Sequence, residues 1–352
     1  MKRLLLVILC LLATLGSISC STATTSVSGG YVQVGEERLV PKYAVKLGGE
    51  TIGFDRYRHF FLNVADSMTD GMTPEEEAAF WTQEKVEELK TTVLTYLSNS
   101  VALAHYAKEA GVSLTDEEKK QAKDYVESVK NNLGDQYLQH LQVLYLTEDL
   151  YLDLQTDEKL YEKIFNFLFD EKGPLAWTNE KYLEYYHQNY LCATHVLIPF
   201  EAGETPENCP KTMEKAQEVY GLAQTTDFNQ LIATYGKDEN LKNFPTGYYF
   251  TKKDMVESFY NATAALEVGG ISQPVITPEG VHVIRRLEPD KEQVGLQKQS
   301  ILWGSSSTDG SYSAGVYAQL FEEFYTQKSQ QELQKVEYNP QIADYLKPGL
   351  VF

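Results

Sequence analysis

The chain has 352 residues, of which 43% are hydrophobic and 12% aromatic. This length and composition allow two or three domains with apolar cores and exclude a disordered polymer. The formal net charge of −19 argues against nucleic-acid binding, because an acidic surface is repelled by phosphate backbones, and it favours contacts with basic partners.

The N-terminus has the features of an export signal. Lys2 and Arg3 precede an apolar stretch, residues 4–15, that is too short to cross a bilayer. Small residues then lead to Cys20 in a pattern that resembles a lipobox. This predicts a lipoprotein signal peptide over residues 1–20 and a lipid anchor on Cys20, at the extracytoplasmic face of a bacterial cell membrane. The alternative is an ordinary secretory leader cleaved near the same position, and both alternatives predict export.

The next part of the chain predicts a tether followed by a helical body. Residues 21–42 are rich in Ser, Thr and Gly, which predicts a flexible segment. Residues 43–52 predict two short strands around a glycine turn. From residue 54 to 189 the apolar spacing is helical, and Thr73 and Thr115 each begin a helix, because a glutamate three residues later completes a capping box. Short loops between such helices are typical of a bundle.

The pattern changes near residue 190. A strand over 194–198 is followed by short helices, a Gly/Pro/Tyr loop over 244–249 and a closing hairpin over 275–287. This block is typical of one small α+β domain. Beyond residue 290 the pattern returns to helix, roughly over 314–336.

Five motifs in this block resemble, in order and spacing, those of the parvulin family of prolyl isomerases. They are a strand in which histidine is followed by aliphatic residues, then Asp-Phe-x-x-Leu, Phe-x-x-x-x-Met-x-x-x-Phe, Val-Gly-x-Ile-Ser-x-Pro-Val and Gly-x-His-x-Ile. In this chain the matching residues begin at His195, Asp227, Phe250, Val268 and Gly280.

The resemblance implies a parvulin-like α+β fold around a four-stranded antiparallel sheet, with His195 and His282 close together on neighbouring central strands. Asp238 falls where parvulins carry a cysteine or an aspartate. These three residues are the predicted catalytic set. The implied reaction is a non-covalent twisting of X-Pro bonds, in which polar groups favour the twisted amide. It needs neither a cofactor nor a metal ion.

The same resemblance implies an apolar pocket for the proline ring. The predicted substrate-binding residues are Met255, Phe259, Phe228, Tyr248 and Tyr249. Gly247 stands where many parvulins carry a pocket leucine, so we expect Tyr248 or Tyr249 to fill that space. Glu279 adds a charge near His282.

Alternatives remain open at the level of sequence. The two histidines could be a structural pair, and Met255 and Phe259 could be ordinary helix core at i, i+4 spacing. The function is then either that of an isomerase and chaperone for exported proteins or that of a non-catalytic holdase. Unfolded or partly folded exported proteins are the expected partners in both cases. The oligomeric state and a disulfide between Cys192 and Cys209 are left open.

The flanking helices resemble the chaperone domain of PrsA/SurA-type foldases. The resemblance implies a mainly helical chaperone domain, made of an N-terminal part and a returning C-terminal helix, with the parvulin domain inserted between them. The predicted division is a signal peptide over 1–20, a tether over 21–42, a chaperone domain over 43–190, an isomerase domain over 191–289 and a C-terminal segment over 290–352.

Overall fold

The computed structural model describes residues 30–306 and 312–352. The predicted signal peptide and Cys20 lie outside these residues, as do residues 21–29 of the predicted tether. Within the described ranges, no helix combines the length and the apolarity that a bilayer crossing requires.

Helices dominate the chain on both sides of a short β-rich region. The α-helices are α1 Phe54–Met68, α2 Pro74–Phe80, α3 Gln83–Ala110, α4 Asp116–Leu133, α5 Tyr137–Val143, α6 Glu148–Phe169, α7 Asn179–Asn189, α8 Pro210–Leu222, α9 Phe228–Tyr235, α10 Glu257–Ala264, α11 Lys291–Trp303 and α12 Val316–Glu332. The strands are β1 Val32–Val34, β2 Glu37–Leu39, β3 Tyr43–Leu47, β4 Glu50–Gly53, β5 Leu191–Ile198, β6 Tyr248–Phe250, β7 Val275–Thr277, β8 Gly280–Arg286, β9 Gly304–Ser306, β10 Tyr312–Ala314 and β11 Val336–Tyr338.

The described chain forms two compact units. The helical unit comprises Tyr317–Phe352 together with the described residues up to Ala176, and the sheet unit is the described part of Trp177–Val316. The predicted boundaries at 190/191 and 289/290 lie inside the sheet unit. The reason is visible at α7 and α11, where the hydroxyl of the buried Tyr182 donates a hydrogen bond to the Val294 carbonyl at 2.6 Å.

Local signals determine the helix ends of the helical unit. The two predicted capping boxes are confirmed: Thr73 and Thr115 each accept a hydrogen bond from a backbone N–H three residues on, and the glutamate at that position reaches back to the cap. Helix α3 ends at Gly111, whose φ of 69° is left-handed and suits glycine. The main core of this unit joins α1 and α3 to β3 and β4.

The C-terminal segment returns to the helical unit and completes its small sheet. Strand β11 pairs antiparallel with β3, in the order β11-β3-β4. The prediction of a flexible tether over 21–42 is wrong for its described residues, 30–42. Strands β1 and β2 form a hairpin, and its fully buried Val32 forms a β-bridge with Val351. Burial of an apolar side chain against the chain's far end is the physical reason that this stretch is ordered.

The sheet unit contains the predicted four-stranded antiparallel sheet, in the order β6-β5-β8-β7. The predicted α+β fold class is confirmed. Strand β6 lies where the sequence predicted only a Gly/Pro/Tyr loop, and it pairs with the start of β5. Helices α8 and α9 pack against one face of the central strands and α10 against the other.

Candidate functional site

The register of the two central strands brings the predicted histidines to one face. In the β5–β8 ladder His195 lies opposite Ile284 and Leu197 lies opposite His282. Directly opposed residues point to the same face of a sheet, and alternate residues of a strand share that face. His195 and His282 are therefore diagonal neighbours on one face.

The two imidazoles are close and nearly perpendicular. Their ring centroids are 4.9 Å apart with an interplanar angle of 85°. The Phe259 ring from α10 lies 5.4 Å from each of them, again edge to face. His195, His282 and Phe259 are 5%, 6% and 3% exposed, so this trio forms the floor of the site rather than its rim.

Asp238 and Tyr248 complete the polar side of the floor. The Tyr248 hydroxyl donates to Asp238 Oδ2 at 2.8 Å, and Asp238 Oδ1 accepts from the Asn240 N–H at 2.9 Å. Asp238 Oδ2 is also 3.1 Å from His195 Nε2. That contact is at ion-pair distance but is not aligned, so both ring nitrogens of His195 lack a hydrogen-bond partner among the described residues.

Thr277 is a site residue that the sequence reasoning missed. Its hydroxyl lies 2.8 Å from His282 Nε2 and accepts the Glu279 N–H at 3.2 Å. The sequence predicts a hairpin over 275–287, but only the strand pairing shows that Thr277 faces the imidazole. The Glu279 side chain is exposed at this turn.

Burial keeps both imidazoles neutral. Burial lowers the pKa of His195, although the Asp238 charge opposes this effect. For His282, burial first and the neighbouring His195 second lower the pKa to about 3. Burial, and then the hydrogen bond to Asp238, raise the pKa of Tyr248. At neutral pH the two imidazoles of the site are therefore neutral, and Tyr248 keeps its phenol proton.

The apolar side of the site contains the two predicted pocket residues. Phe259 and the half-buried Met255 pack in one cluster with Phe250 and Ile284. Met255 precedes α10 rather than lying within it, so the two residues are not successive turns of one helix core. Near this cluster, the exposed Phe244 ring lies 4.8 Å from the Tyr248 ring.

Two predicted substrate-binding residues lie on the opposite face of the sheet. Phe228 is buried in a separate cluster with Val196 and Val283, because the apolar side of α9 packs there. Tyr249 follows Tyr248 in β6 and so points the other way, where its hydroxyl accepts the Asp290 N–H at 3.1 Å. The prediction that Phe228 and Tyr249 line the pocket is wrong.

Gly247 has a backbone reason for being glycine. Its φ is 93°, and a Cβ there would lie 2.8 Å from the Ala193 carbonyl oxygen and 2.8 Å from Leu287 Cδ1. Such contacts exclude any larger side chain without a shift of β5. Of the two residues expected to take the place of the missing leucine, Tyr248 is the one on the histidine face.

Comparisons with known proteins agree with the motifs. The family described as Rotamase: PPIC-type PPIASE domain matches residues 195–288. This match covers the block in which the five motifs resemble the parvulin family. The chain is 23% identical over 211 residues to the foldase protein PrsA of Clostridium perfringens, covering 57% of this chain and 60% of that protein. It is 24% identical to the foldase protein PrsA of Caldanaerobacter subterraneus, covering 76% of both.

The family match and these relatives confirm the predicted resemblance to PrsA/SurA-type foldases with a parvulin domain. A solved structure of the peptidylprolyl isomerase PrsA from Bacillus cereus is 20% identical, covers 75% of this chain and 84% of its own, and has a TM-score of 0.31. The chain spans about 60% of the length of the first curated relatives that it matches.

Proposed function

We propose that this protein is an extracytoplasmic folding factor whose sheet unit isomerises X-Pro bonds and whose helical unit binds unfolded exported proteins. The observation that carries the proposal is the floor formed by His195, His282 and Phe259 beside Asp238. The Phe259 ring offers an apolar contact to a proline ring. The two imidazoles and Asp238 offer polar neighbours to the peptide group that precedes the proline.

The reaction that such a site has to accelerate is a rotation. The X-Pro bond turns over a barrier of ~18–20 kcal/mol because resonance gives it partial double-bond character. In the twisted amide the carbonyl oxygen carries less negative charge and the nitrogen regains its lone pair. Groups that favour this charge distribution over the planar one lower the barrier.

The described side chains suit that task. Phe259 and Met255 hold the proline ring, and Asp238, positioned by Tyr248, opposes negative charge on a carbonyl oxygen bound near it. The buried ring nitrogens of His195 have no hydrogen-bond partner among the described residues, and one of them lies 3.1 Å from Asp238 Oδ2, so the imidazole adds a polar group to the floor of the site. No bond to the protein forms or breaks, so this mechanism requires no nucleophile.

A second candidate function is that of a holdase without isomerase activity. Two observations favour it: the imidazoles are 5% and 6% exposed, and Gly247 replaces a pocket leucine. A protease-coupled prolyl assay on the mature chain separates the two functions. Activity above the uncatalysed rate that falls in Phe259→Leu supports the isomerase, whereas a rate equal to buffer leaves the holdase.

We also propose that the protein is exported and anchored through a lipid on Cys20, with clients met outside the cytoplasm. Mass spectrometry of the mature N-terminus tests this anchor. A lipidated Cys20 is the expected result. A free amine on Ser19, on a Cys20 that carries no lipid or on a later residue would contradict the anchor while leaving export intact.

A further inference from the structure

The helical unit contains a cavity that the isomerase site does not explain. It has a volume of about 310 Å³ and lies among α1, α3, α6 and α12. This volume is at the lower end of the range for ligand sites, and it suits one or two side chains of a bound segment. Aromatic rings line much of it, including Phe60, Tyr96, Tyr161 and Tyr325.

The aromatic lining is held in place by α1, α3, α6 and α12 together. The Phe60 and Tyr96 rings are stacked at 5.8 Å, and the Tyr161 and Tyr325 rings meet edge to face at 5.5 Å. The Tyr325 hydroxyl donates to the Asn99 carbonyl at 2.9 Å. Contacts between helices therefore connect the aromatic parts of the cavity wall.

The charges in the lining are all negative. Asp157, Glu158 and Glu322 line the cavity, and no lysine or arginine is among its described lining residues. Asp157 is neutralised by Arg56, whose Nη1 lies 2.5 Å from its carboxylate. Glu158 and Glu322 are half-buried, and neither has an ion-pair partner within residues 30–306 and 312–352.

The Glu158 carboxylate is poorly solvated. Burial, followed by the charge of Glu162, raises the pKa of Glu158. The Glu322 charge contributes, after burial, to raising the pKa of Tyr161 to about 12. A carboxylate held near apolar walls is stabilised by a cation that enters with its ligand. Cations also bind favourably over aromatic faces.

We propose that this cavity binds a segment of an unfolded polypeptide in which an aromatic or large aliphatic residue lies next to a lysine or arginine. The apolar side chain fills the space between the rings, and the cation pairs with Glu158 and Glu322. This inference rests on the proposed function, because it names a second binding site for the same clients. Charge complementarity selects the occupant: a basic segment meets two unpaired carboxylates on a chain of net charge −19.

The test is fluorescence anisotropy on the mature chain with labelled, proline-free peptides. The probe is a twelve-residue peptide with a Phe-Lys-Phe-Lys centre, beside a matched peptide with Phe-Glu-Phe-Glu. We expect the lysine peptide to bind and the glutamate peptide to bind at least about 10-fold more weakly, because each charge pair then becomes repulsive. Equal binding of the two peptides would overturn the proposal.

Matched variants locate the binding. Glu158→Gln with Glu322→Gln should weaken the lysine peptide about 5- to 10-fold, whereas Glu127→Gln with Glu323→Gln, both exposed and of equal charge change, should alter it less than about 2-fold. Glu158→Lys with Glu322→Lys should reverse the preference toward the glutamate peptide. If both pairs of glutamine substitutions weaken binding of the lysine peptide equally, the effect comes from the overall charge of the protein, and the proposed binding site is wrong.

Two further outcomes keep this inference distinct from the proposed function. Prolyl activity should be unchanged in the Glu158→Gln, Glu322→Gln variant. If the wild-type chain binds the lysine peptide but has no prolyl activity, the proposed isomerase function is rejected and the proposed binding site in the cavity is supported. If the variant instead loses self-association in sedimentation and keeps its peptide affinity, the cavity belongs to a second copy and the proposal fails.

Discussion

The two faces of the four-stranded sheet differ in whether their buried polar atoms have hydrogen-bond partners. On one face Val196, Val283 and Phe228 are at most 2% exposed in an aliphatic and aromatic core. On the other face His195 and His282 are nearly as buried, yet between them they leave three ring nitrogens without hydrogen-bond partners among the described residues. Buried polar groups are normally paired. We therefore assign a role in stability to the first face and, as proposed above, substrate binding to the second.

The largest expected effect is on the stability face. Phe228→Ala removes a buried ring from a close-packed cluster and should lower the free energy of unfolding by about 3–5 kcal/mol. Prolyl activity per folded molecule should stay within about 2-fold of wild type, because Phe228 lies across the sheet from the site. Urea unfolding with activity measured on the folded fraction checks both statements. A large loss of activity in folded Phe228→Ala would break the distinction between the faces.

The next effect is a pH dependence on the histidine face. The pKa of His282 is lowered to about 3, by burial and then by His195, from an ordinary value of 6.5. Between these values the unfolded chain binds a proton that the folded chain does not, so stability falls as the pH falls below 6.5. His282 should account for about 2–3 kcal/mol of the stability lost between pH 7 and pH 4.

The control for this effect is His282→Asn, which keeps a polar neighbour for Thr277 but does not titrate. Urea unfolding of both proteins at pH 7 and pH 4 gives the comparison. The variant should lose less stability on acidification than the wild type. Equal losses would mean that His282 takes up its proton in the folded chain as readily as in water.

A smaller effect, on catalysis, is expected when Phe259 and Phe228 are each replaced by leucine. Phe259→Leu should lower kcat/KM about 10-fold, since the ring that contacts both imidazoles and the proline pocket is lost. Phe228→Leu should leave kcat/KM unchanged. Both substitutions preserve most of the buried volume, so each should cost less than about 1.5 kcal/mol of stability. Equal activity losses in the two variants would show that catalysis does not distinguish the faces.

The smallest effect separates adjacent tyrosines of β6. Tyr248→Phe removes the hydrogen bond that positions Asp238 and should lower kcat about 3-fold with little change in KM. Tyr249→Phe removes a hydroxyl from the opposite face and should leave kcat at the wild-type value. Steady-state kinetics on the pair checks this. A loss confined to Tyr249→Phe would reverse the orientation assigned to β6.

Features set by neighbouring residues could be predicted from the sequence. The capping boxes at Thr73 and Thr115 depend on four consecutive residues, and the family motifs at His195 and His282 place both histidines on paired strands. The orientation of Tyr248 could not be predicted, because it depends on a three-residue strand whose pairing partner is distant in sequence. Phe228 was misplaced for a related reason: its motif predicts a buried position but not the face of the sheet that it covers.

Contacts between distant parts of the chain were the least predictable. Val32 is buried against Val351, yet neither short segment has a periodic pattern, so the ordered hairpin was predicted as a tether. Glu158 and Glu322 lie on separate helices that meet only after folding. Their helical faces are ordinary in sequence, and only packing reveals that the carboxylates share one cavity.

The central claim is that substrate binds on the histidine face, and NMR titration tests it most directly. A chain with labelled imidazole nitrogens and valine methyl groups is titrated with an Ala-Pro peptide. We predict that the ring resonances of His195 and His282 shift with a common affinity while the methyl resonances of Val196 and Val283 stay in place. Shifts confined to the valines, or imidazole resonances that do not respond at saturating peptide, would contradict the account.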